Sequence, residues 1–180
     1  MIEILITIAI VIIGLWGLMD VQARLQVSEM ESYQRTQALM LVNDMASRIS
    51  SNRTSSAAYV TTTPTGFGAT CPTTATTVAE VDEREWCNAL QGAAEQAGGV
   101  GVGSLVGGRG CVESVGTGGV TEYRVTVVWQ GLTPIAAPPS SIACGLNLYN
   151  LPTGSSCASN ADACRRYVTT LVRIADLTDL

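Results

Sequence analysis

A continuous apolar run near the N-terminus constrains this chain more than any other feature. It spans Ile2 to Met19, reads IEILITIAIVIIGLWGLM and carries one charge, on Glu3. A bilayer core of about 30 Å is crossed by about 20 apolar residues in a helix. A secretory signal peptide would begin with basic residues and end in a small-residue cleavage site, whereas here no basic residue precedes Arg24. We therefore predict a retained helix over residues 1–19 that spans a membrane or packs against other helices.

Three residues within this run have two interpretations each. A bare carboxylate inside hydrocarbon costs several kcal/mol, so Glu3 either has a function there or lies at the end of the span and reaches headgroups or water. Gly14 and Gly17 each weaken a helix by about 1 kcal/mol relative to Ala. They are consistent with close packing between helices, or with a point where the helix unwinds.

Residues 20–52 are predicted to continue the same helix as an amphipathic stretch that ends at Ser50-Ser51-Asn52. Residues spaced by three or four lie on one face of a helix, and we predict that this face is a buried stripe. Its members are Val27, Met30, Gln34, Ala38, Leu41 or Val42, Met45 and Ile49. Acid-before-arginine pairs lie four residues apart: Asp20–Arg24, Glu31–Arg35 and Asp44–Arg48. We interpret these pairs as a solvated face, with contacts to neighbouring chains as the alternative.

Composition excludes several classes of function. The 180 residues contain no His, and all ten basic residues are Arg. Histidine-based acid–base catalysis, imidazole metal ligation, Schiff-base lysine chemistry and a P-loop lysine are therefore absent. The net charge of −5 argues against a nucleic-acid-binding protein, whose binding surface is basic. We predict a protein that needs no cofactor and no metal.

The six cysteines all follow the apolar helix: Cys71, Cys87, Cys111, Cys144, Cys157 and Cys164. No pair has C-x-x-C spacing, and no His is present to complete a mixed zinc site. The even number favours three disulfides in an oxidising compartment over free or metal-binding thiols. Six cysteines allow fifteen pairings, among which we weakly favour Cys71–Cys87, a bond that would tie a loop to a helix.

The middle of the chain is predicted to be mostly loop. Residues 53–79 are rich in Ser and Thr, and Asn52-Arg53-Thr54 fits an N-glycosylation sequon. Residues 97–110 are rich in Gly but lack G-x-G-x-x-G spacing, which favours a flexible loop over a nucleotide-binding one. Residues 53–110 thus form one loop region around a single short helix.

That short helix is predicted over residues 80–94. Its first turn would hold three acidic side chains that suit the helix dipole: Asp82, Glu83 and Glu85. One face would pack into the core through Trp86, Leu90 and Ala94. Acid–base chemistry or Ca²⁺ binding by these carboxylates is the less favoured interpretation, because no D-x-D-x-D-G loop is present.

Three strands are predicted at 111–115, 122–129 and 166–174, with a turn at Gly116–Gly119 and an irregular, disulfide-bound region at 131–163. The alternation in the second strand places four side chains on one face: Tyr123, Val125, Val127 and Trp129. Because three strands need a further apolar layer, the sheet should pack against the amphipathic helix. The fold class is α+β, with a globular domain over residues 20–180.

Several sequence blocks resemble one known family. Ile2-Glu3-Ile4-Leu5 within the apolar run is similar to the processed N-terminus of type IV pilins. The blocks YQRTQA at 33–38, DMASRI at 44–49 and Asn52-Arg53 resemble the PilV-type minor pilins of that family. The resemblance implies a pilin-like fold, with Met1 as the third residue of the processed subunit and Glu3 as the residue that directs subunit assembly. It also implies that the helix loses regularity near Gly14 and Gly17 in the filament.

What the resemblance implies for function is a structural subunit and not an enzyme. Such a subunit is held in the bacterial inner membrane by one helix, taken up by the pilus assembly machinery, and packed with other pilin subunits in an extracellular filament that supports adhesion or motility. Two alternatives stay open at this point. One is a minor pseudopilin of type II secretion, and the other is a membrane-anchored periplasmic enzyme or ligand-binding domain.

Overall fold

The computed structural model describes residues 2–92, 105–117, 121–150, 152–159 and 161–175, and the backbone of 96–97 and 100–101. The fold is α+β, with one long N-terminal helix, a second short helix, an antiparallel four-stranded sheet and three disulfides. The helices are α1 (Ile2–Ser51), a 3-10 helix (Arg53–Tyr59) and α2 (Val78–Leu90). The strands are β1 (Thr65–Gly66), β2 (Gln96–Ala97), β3 (Val100–Gly101), β4 (Arg109–Ser114), β5 (Thr121–Gln130) and β6 (Arg165–Ile174).

Helix α1 has nearly the predicted length, because no proline or turn signal interrupts it. Its buried residues follow one stripe: Gln34, Ala38, Val42, Met45 and Ile49. The prediction was wrong for Val27 and Met30, which continue the same stripe but are 37% and 53% exposed. Helical spacing shows which face can be buried, whereas a packing partner decides where burial begins.

The chain divides into two compact units, residues 1–33 and 34–180. The first unit contains only the N-terminal part of α1. The second contains the rest of α1, the other helices, the sheet and the disulfides. The boundary that the sequence predicts after residue 19 concerns membrane crossing and stays a prediction.

The sheet has the order β1-β4-β5-β6, and all neighbouring strands are antiparallel. The four side chains predicted to share one face of β5 are all at most 4% exposed. They form the main core with the α1 stripe, with Trp86 and Leu90 of α2, and with Val112 of β4. Thr126 and Val128 are fully buried on the opposite face of β5, where Val128 clusters with Cys111, Cys144 and Tyr149. One end of the sheet is therefore covered on both faces.

The region predicted as loop contains more regular structure than expected. Residues 53–59 form the 3-10 helix, and Thr65–Gly66 pairs with β4 as a fourth strand of the sheet. Within the glycine-rich segment, β2 and β3 pair with each other, and β4 begins at Arg109 instead of residue 111. Two-residue strands are too short to show sequence periodicity, because backbone pairing alone defines them.

Helix α2 begins and ends earlier than predicted. Thr77 is its N-cap and forms a capping box with Glu80. Glu80 accepts hydrogen bonds from the backbone N–H groups of Thr76 and Thr77, which lower the pKa of Glu80 to about 2. The prediction that Asp82, Glu83 and Glu85 fill the first turn was therefore wrong, because Glu80 occupies it. Trp86 and Leu90 are buried as predicted, and Ala94 lies outside the described residues.

All six cysteines are paired, as Cys71–Cys87, Cys111–Cys144 and Cys157–Cys164. The first bond joins the loop before α2 to α2 itself, the pairing that the sequence weakly favoured. The second joins β4 to the irregular 131–163 region, and the third closes that region just before β6. Each bond limits the unfolded chain and so stabilises the folded unit. The predicted turn at Gly116–Gly119 lies only partly within the described residues.

Candidate functional site

The most distinctive surface of the chain is the N-terminal stretch of α1. Every residue from Ile2 to Met30 is exposed, including Ile13 at 72% and Trp16 at 74%. Removing one such side chain from water is worth about 1.5–3 kcal/mol. Within the described part of the chain, α1 is the one helix that is long and apolar enough to cross a membrane. A surface of this kind is a site for contact with lipid or with other proteins.

Polar groups in this stretch are few and locally arranged. The hydroxyl of Thr7 donates to the carbonyl of Ile4 at 2.9 Å, so it needs no partner outside the helix. Glu3 is exposed in the first turn, where the helix dipole favours a negative charge. Among the described residues no cation lies within ion-pair distance of Glu3. A neighbouring chain or a headgroup would therefore have to supply its partner in an apolar environment.

Gly14 and Gly17 lie within the regular part of α1. A Cβ atom added at either position would meet no atom within 4 Å. Packing against the described residues therefore does not explain either glycine. Close contact with another helix and local unwinding both concern an assembled state, and both stay predictions.

A second polar feature, which the sequence did not predict, joins α1 to α2 through Arg48. Its Nε donates to Asp44 at 2.9 Å, and Nη1 contacts Asp82 at 2.7 Å and Glu85 at 2.8 Å. Burial opposes the charge, but the hydrogen bonds to Glu85, Asp82 and Asp44 outweigh it and raise the pKa of Arg48. Asp44–Arg48 is thus not the simple solvated pair that was predicted, since Arg48 is only 26% exposed. Asp20–Arg24 does match the prediction, at 3.1 Å with both side chains exposed.

The ion pairs around Arg48, the guanidinium with its three carboxylates, border a polar cleft of about 370 Å³. The cleft is lined by Asp44, Ser47, Arg48, Ser51, Asn52, Val78 and Asp82. Behind it, Tyr59 donates to Asp82 at 2.5 Å and accepts from the Asn52 amide at 3.1 Å. Burial and the bond to Asp82 raise the pKa of Tyr59. Because these groups satisfy one another, the arrangement acts as a structural lock between the helices.

The structure also locates the predicted glycosylation site and the carboxylates considered for metal binding. Asn52 is half-buried and uses its amide nitrogen in the bond to Tyr59, and its glycosylation stays a prediction. No group of three or more His, Cys, Asp or Glu in the described ranges could hold a metal ion. The carboxylates Asp82 and Glu85, considered for such a role, instead contact Arg48.

A buried arginine in the sheet was also missed by the sequence. Arg165 is 2% exposed, and its Nη1 donates to the carbonyls of Ile142 at 2.8 Å and Cys144 at 2.7 Å. Its Nη2 lies 3.3 Å from Asp162. Arg165 therefore holds the irregular region against the start of β6. Nothing in the sequence distinguishes it from Arg166, because the two carbonyls that it binds, those of Ile142 and Cys144, lie more than 20 residues away.

Fold and surface together define a class: an α+β chain whose N-terminal apolar helix is long enough to span a membrane and whose folded unit carries disulfides. We compared the chain with protein-family models, curated proteins and solved structures, and found no match.

Proposed function

We propose that this chain is a type IV pilin-like structural subunit of the PilV-type minor pilin class. It is anchored in the bacterial inner membrane by the start of α1 and is later incorporated into a pilus or its tip complex. The observation that carries this proposal is the exposed stretch Ile2–Met30 of α1, whose residues 4–19 carry no charge, together with the packed stretch Gln34–Ile49 of the same helix. The sequence blocks at 33–38 and 44–49 support the minor-pilin class.

The apolar stretch needs a cover in each state of the protein. Lipid supplies it before assembly, because a helix that is apolar on all sides is stable in a bilayer. Equivalent helices of other subunits supply it after assembly, because they remove the same side chains from water. One surface thus serves for storage in the membrane and for polymerisation.

Glu3 connects the two states. Its carboxylate lies two residues from the start of the chain and has no ion-pair partner among the described residues. Transfer of an unpaired carboxylate into an apolar filament interior would be costly, and a positive group of a neighbouring subunit would offset that cost. Glu3 would thereby favour the alignment of neighbouring subunits in which its carboxylate is paired.

The disulfides agree with a folded unit outside the cytoplasm, because they persist in oxidising compartments. The packed stretch of α1 lies against the sheet, so the folded unit includes part of the same helix. The proposal accounts for both features.

The test is Glu3→Ala, with Glu29→Ala as a matched control on the same exposed helix. We expect wild type and E29A in sheared surface filaments analysed by mass spectrometry, and E3A only in the membrane fraction. Recovery of E3A in filaments at the wild-type level would contradict the role of Glu3. Co-purification of the wild-type chain with secretion components, and its absence from pili, would identify a type II secretion pseudopilin instead.

A further inference from the structure

The guanidinium of Arg109, at the start of β4, is held between two aromatic rings. Its Cζ lies 5.1 Å from the ring centroid of Phe67 and 5.0 Å from that of Tyr149. Both distances are typical of cation–π contacts. Since the side chain is only half-buried, the rings orient the guanidinium while part of it stays accessible to solvent.

The loop that carries Phe67 is fixed by hydrogen bonds. The Gln91 side-chain amide donates to the carbonyls of Gly66 at 2.9 Å and Ala69 at 2.8 Å. The backbone N–H of Phe67 donates to the carbonyl of Gly108 at 2.8 Å. Gly66 has a φ of 100°, and a Cβ there would lie 2.6 Å from the Gly108 carbonyl oxygen, so the close approach requires glycine. The turn that carries Phe67 is therefore rigid.

The ring of Tyr149 is also held in place by hydrogen bonds. The Tyr149 hydroxyl lies 2.8 Å from the carbonyl oxygen of Gly107 and 3.2 Å from that of Val128. Burial raises the pKa of Tyr149 to about 12, although nearby Arg109 opposes the shift, so the hydroxyl stays protonated as a donor. A Cβ added at Gly107 would lie 3.5 Å from the Tyr149 ring and 3.8 Å from the Phe67 ring, so the backbone at Gly107 is close to both rings.

Arg109 has no anionic partner in the described part of the chain. Its Nη1 donates to the Gly107 carbonyl at 3.4 Å, and no described carboxylate lies within 4 Å. By contrast, Arg124 and Arg173 of the same sheet each contact a carboxylate of the neighbouring strand, at 2.9 Å and 2.7 Å. A guanidinium has five N–H donors, and its fork matches the two oxygens of a carboxylate. The guanidinium of Arg109 is oriented by the rings, and its donors beyond the bond to Gly107 face no described carboxylate.

The groups around Arg109 restrict the ligand. The Gln91 amide nitrogen and the Tyr149 O–H are already engaged as donors, so neither offers a free donor to the hydroxyls of a sugar. Phe67, whose ring contacts the guanidinium, is apolar and 56% exposed. We propose that Arg109 binds the carboxylate of an acidic residue flanked by apolar side chains in a peptide segment of a partner protein. The inference does not rest on the proposed pilin function.

The test uses the full chain in detergent micelles and the side-chain Nε–Hε signal of Arg109 in NMR spectra. The probe is the acetylated and amidated tripeptide Leu-Glu-Phe, compared with Leu-Gln-Phe. We expect a saturable shift with the first peptide only. In the variants, binding is followed through the backbone amide signal of Phe67, which all of them retain. Arg109→Gln should weaken binding of the first peptide at least tenfold, about the value of charge-assisted hydrogen bonds to one carboxylate, whereas Arg124→Gln should not.

Two further probes identify the source of the carboxylate. Glucuronate or acetate that binds as tightly as the peptide would overturn the peptide assignment. No saturable shift with any probe would show that Arg109 only clamps the loops. Arg109→Lys keeps the charge but loses the planar fork, so we expect several-fold weaker binding by this folded variant; unchanged binding would overturn recognition through the fork.

Discussion

The two stretches of α1 differ in their surroundings although they belong to one helix. From Ile2 to Met30 every side chain is exposed, whereas from Gln34 to Ile49 five side chains are buried against the sheet and α2. Both stretches have residues that favour helix, and both contain apolar positions at helical spacing. The difference shows that local sequence determines the helix, while a partner determines its burial. For the first stretch, the described residues supply no such partner.

The same contrast holds for the glycines. Gly14 has no atom near its Cβ direction, whereas a Cβ on Gly110 would lie 2.2 Å from the Trp86 ring. Trp86 in turn donates to the Leu41 carbonyl at 3.0 Å and so joins α2 to α1. Glycine at 110 is thus required for packing within the chain, and glycine at 14 is not.

The largest expected difference in stability comes from the substitution Met→Ala, made once in each stretch of α1. Met45→Ala should lower the free energy of unfolding by about 2–5 kcal/mol, because it leaves a cavity in the core. Met30→Ala, at a position 53% exposed, should change it by less than about 0.5 kcal/mol. Denaturant unfolding of the detergent-solubilised chain, followed by near-ultraviolet circular dichroism, measures both. Equal losses would show that the first stretch contributes to the folded core.

The next largest difference in stability is expected for the substitution Gly→Ala, made at Gly110 and at Gly14. Gly110→Ala should destabilise the folded unit by about 1–3 kcal/mol, because Trp86 must move. Gly14→Ala should leave that unit unchanged and strengthen the local helix by about 1 kcal/mol. Amide hydrogen exchange resolves the two regions. Faster exchange near residue 14 in G14A would contradict this expectation.

The substitution Arg→Gln at Arg48 and at Arg24 compares an arginine that joins two helices with an arginine in one exposed ion pair. Arg48→Gln leaves three carboxylates close together and should cost about 1–2 kcal/mol. Arg24→Gln breaks one exposed pair and should cost about 0.2–0.5 kcal/mol at most. Thermal unfolding at low and high salt measures both. If the two variants lose equal stability, the lock between α1 and α2 has no energetic role.

The smallest effect concerns the capping box of α2, which depends on local contacts only. Because the folded-state pKa of Glu80 is about 2, below the ordinary value of 4.5, its contribution is present above pH 4.5 and is lost as pH falls towards 2. Glu80→Gln should remove this part of the acid dependence of the melting temperature. Thr77→Ala removes the other half of the box and should lower stability at every pH while the acid dependence remains. An unchanged acid profile in E80Q would contradict the assignment.

Much of the fold was predictable because it depends on short-range pattern. Hydropathy predicted α1, alternation predicted β5 and its buried face, and the even number of cysteines predicted disulfides. The capping box Thr77–Glu80 was visible in the sequence and would have placed the start of α2 correctly. Strand β1 was not predictable, since two residues show no period.

By itself the sequence determined the long helix, the apolar character of its first stretch, the α+β class and the presence of disulfides, because these depend on composition and neighbours along the chain. Tertiary structure alone decided that burial begins at Gln34, that Arg48 joins two helices and that Arg165 is buried. It also placed Arg109 between two rings from distant loops. Those outcomes depend on residues that are far apart in the chain, and chain folding brings them within a few ångströms of one another.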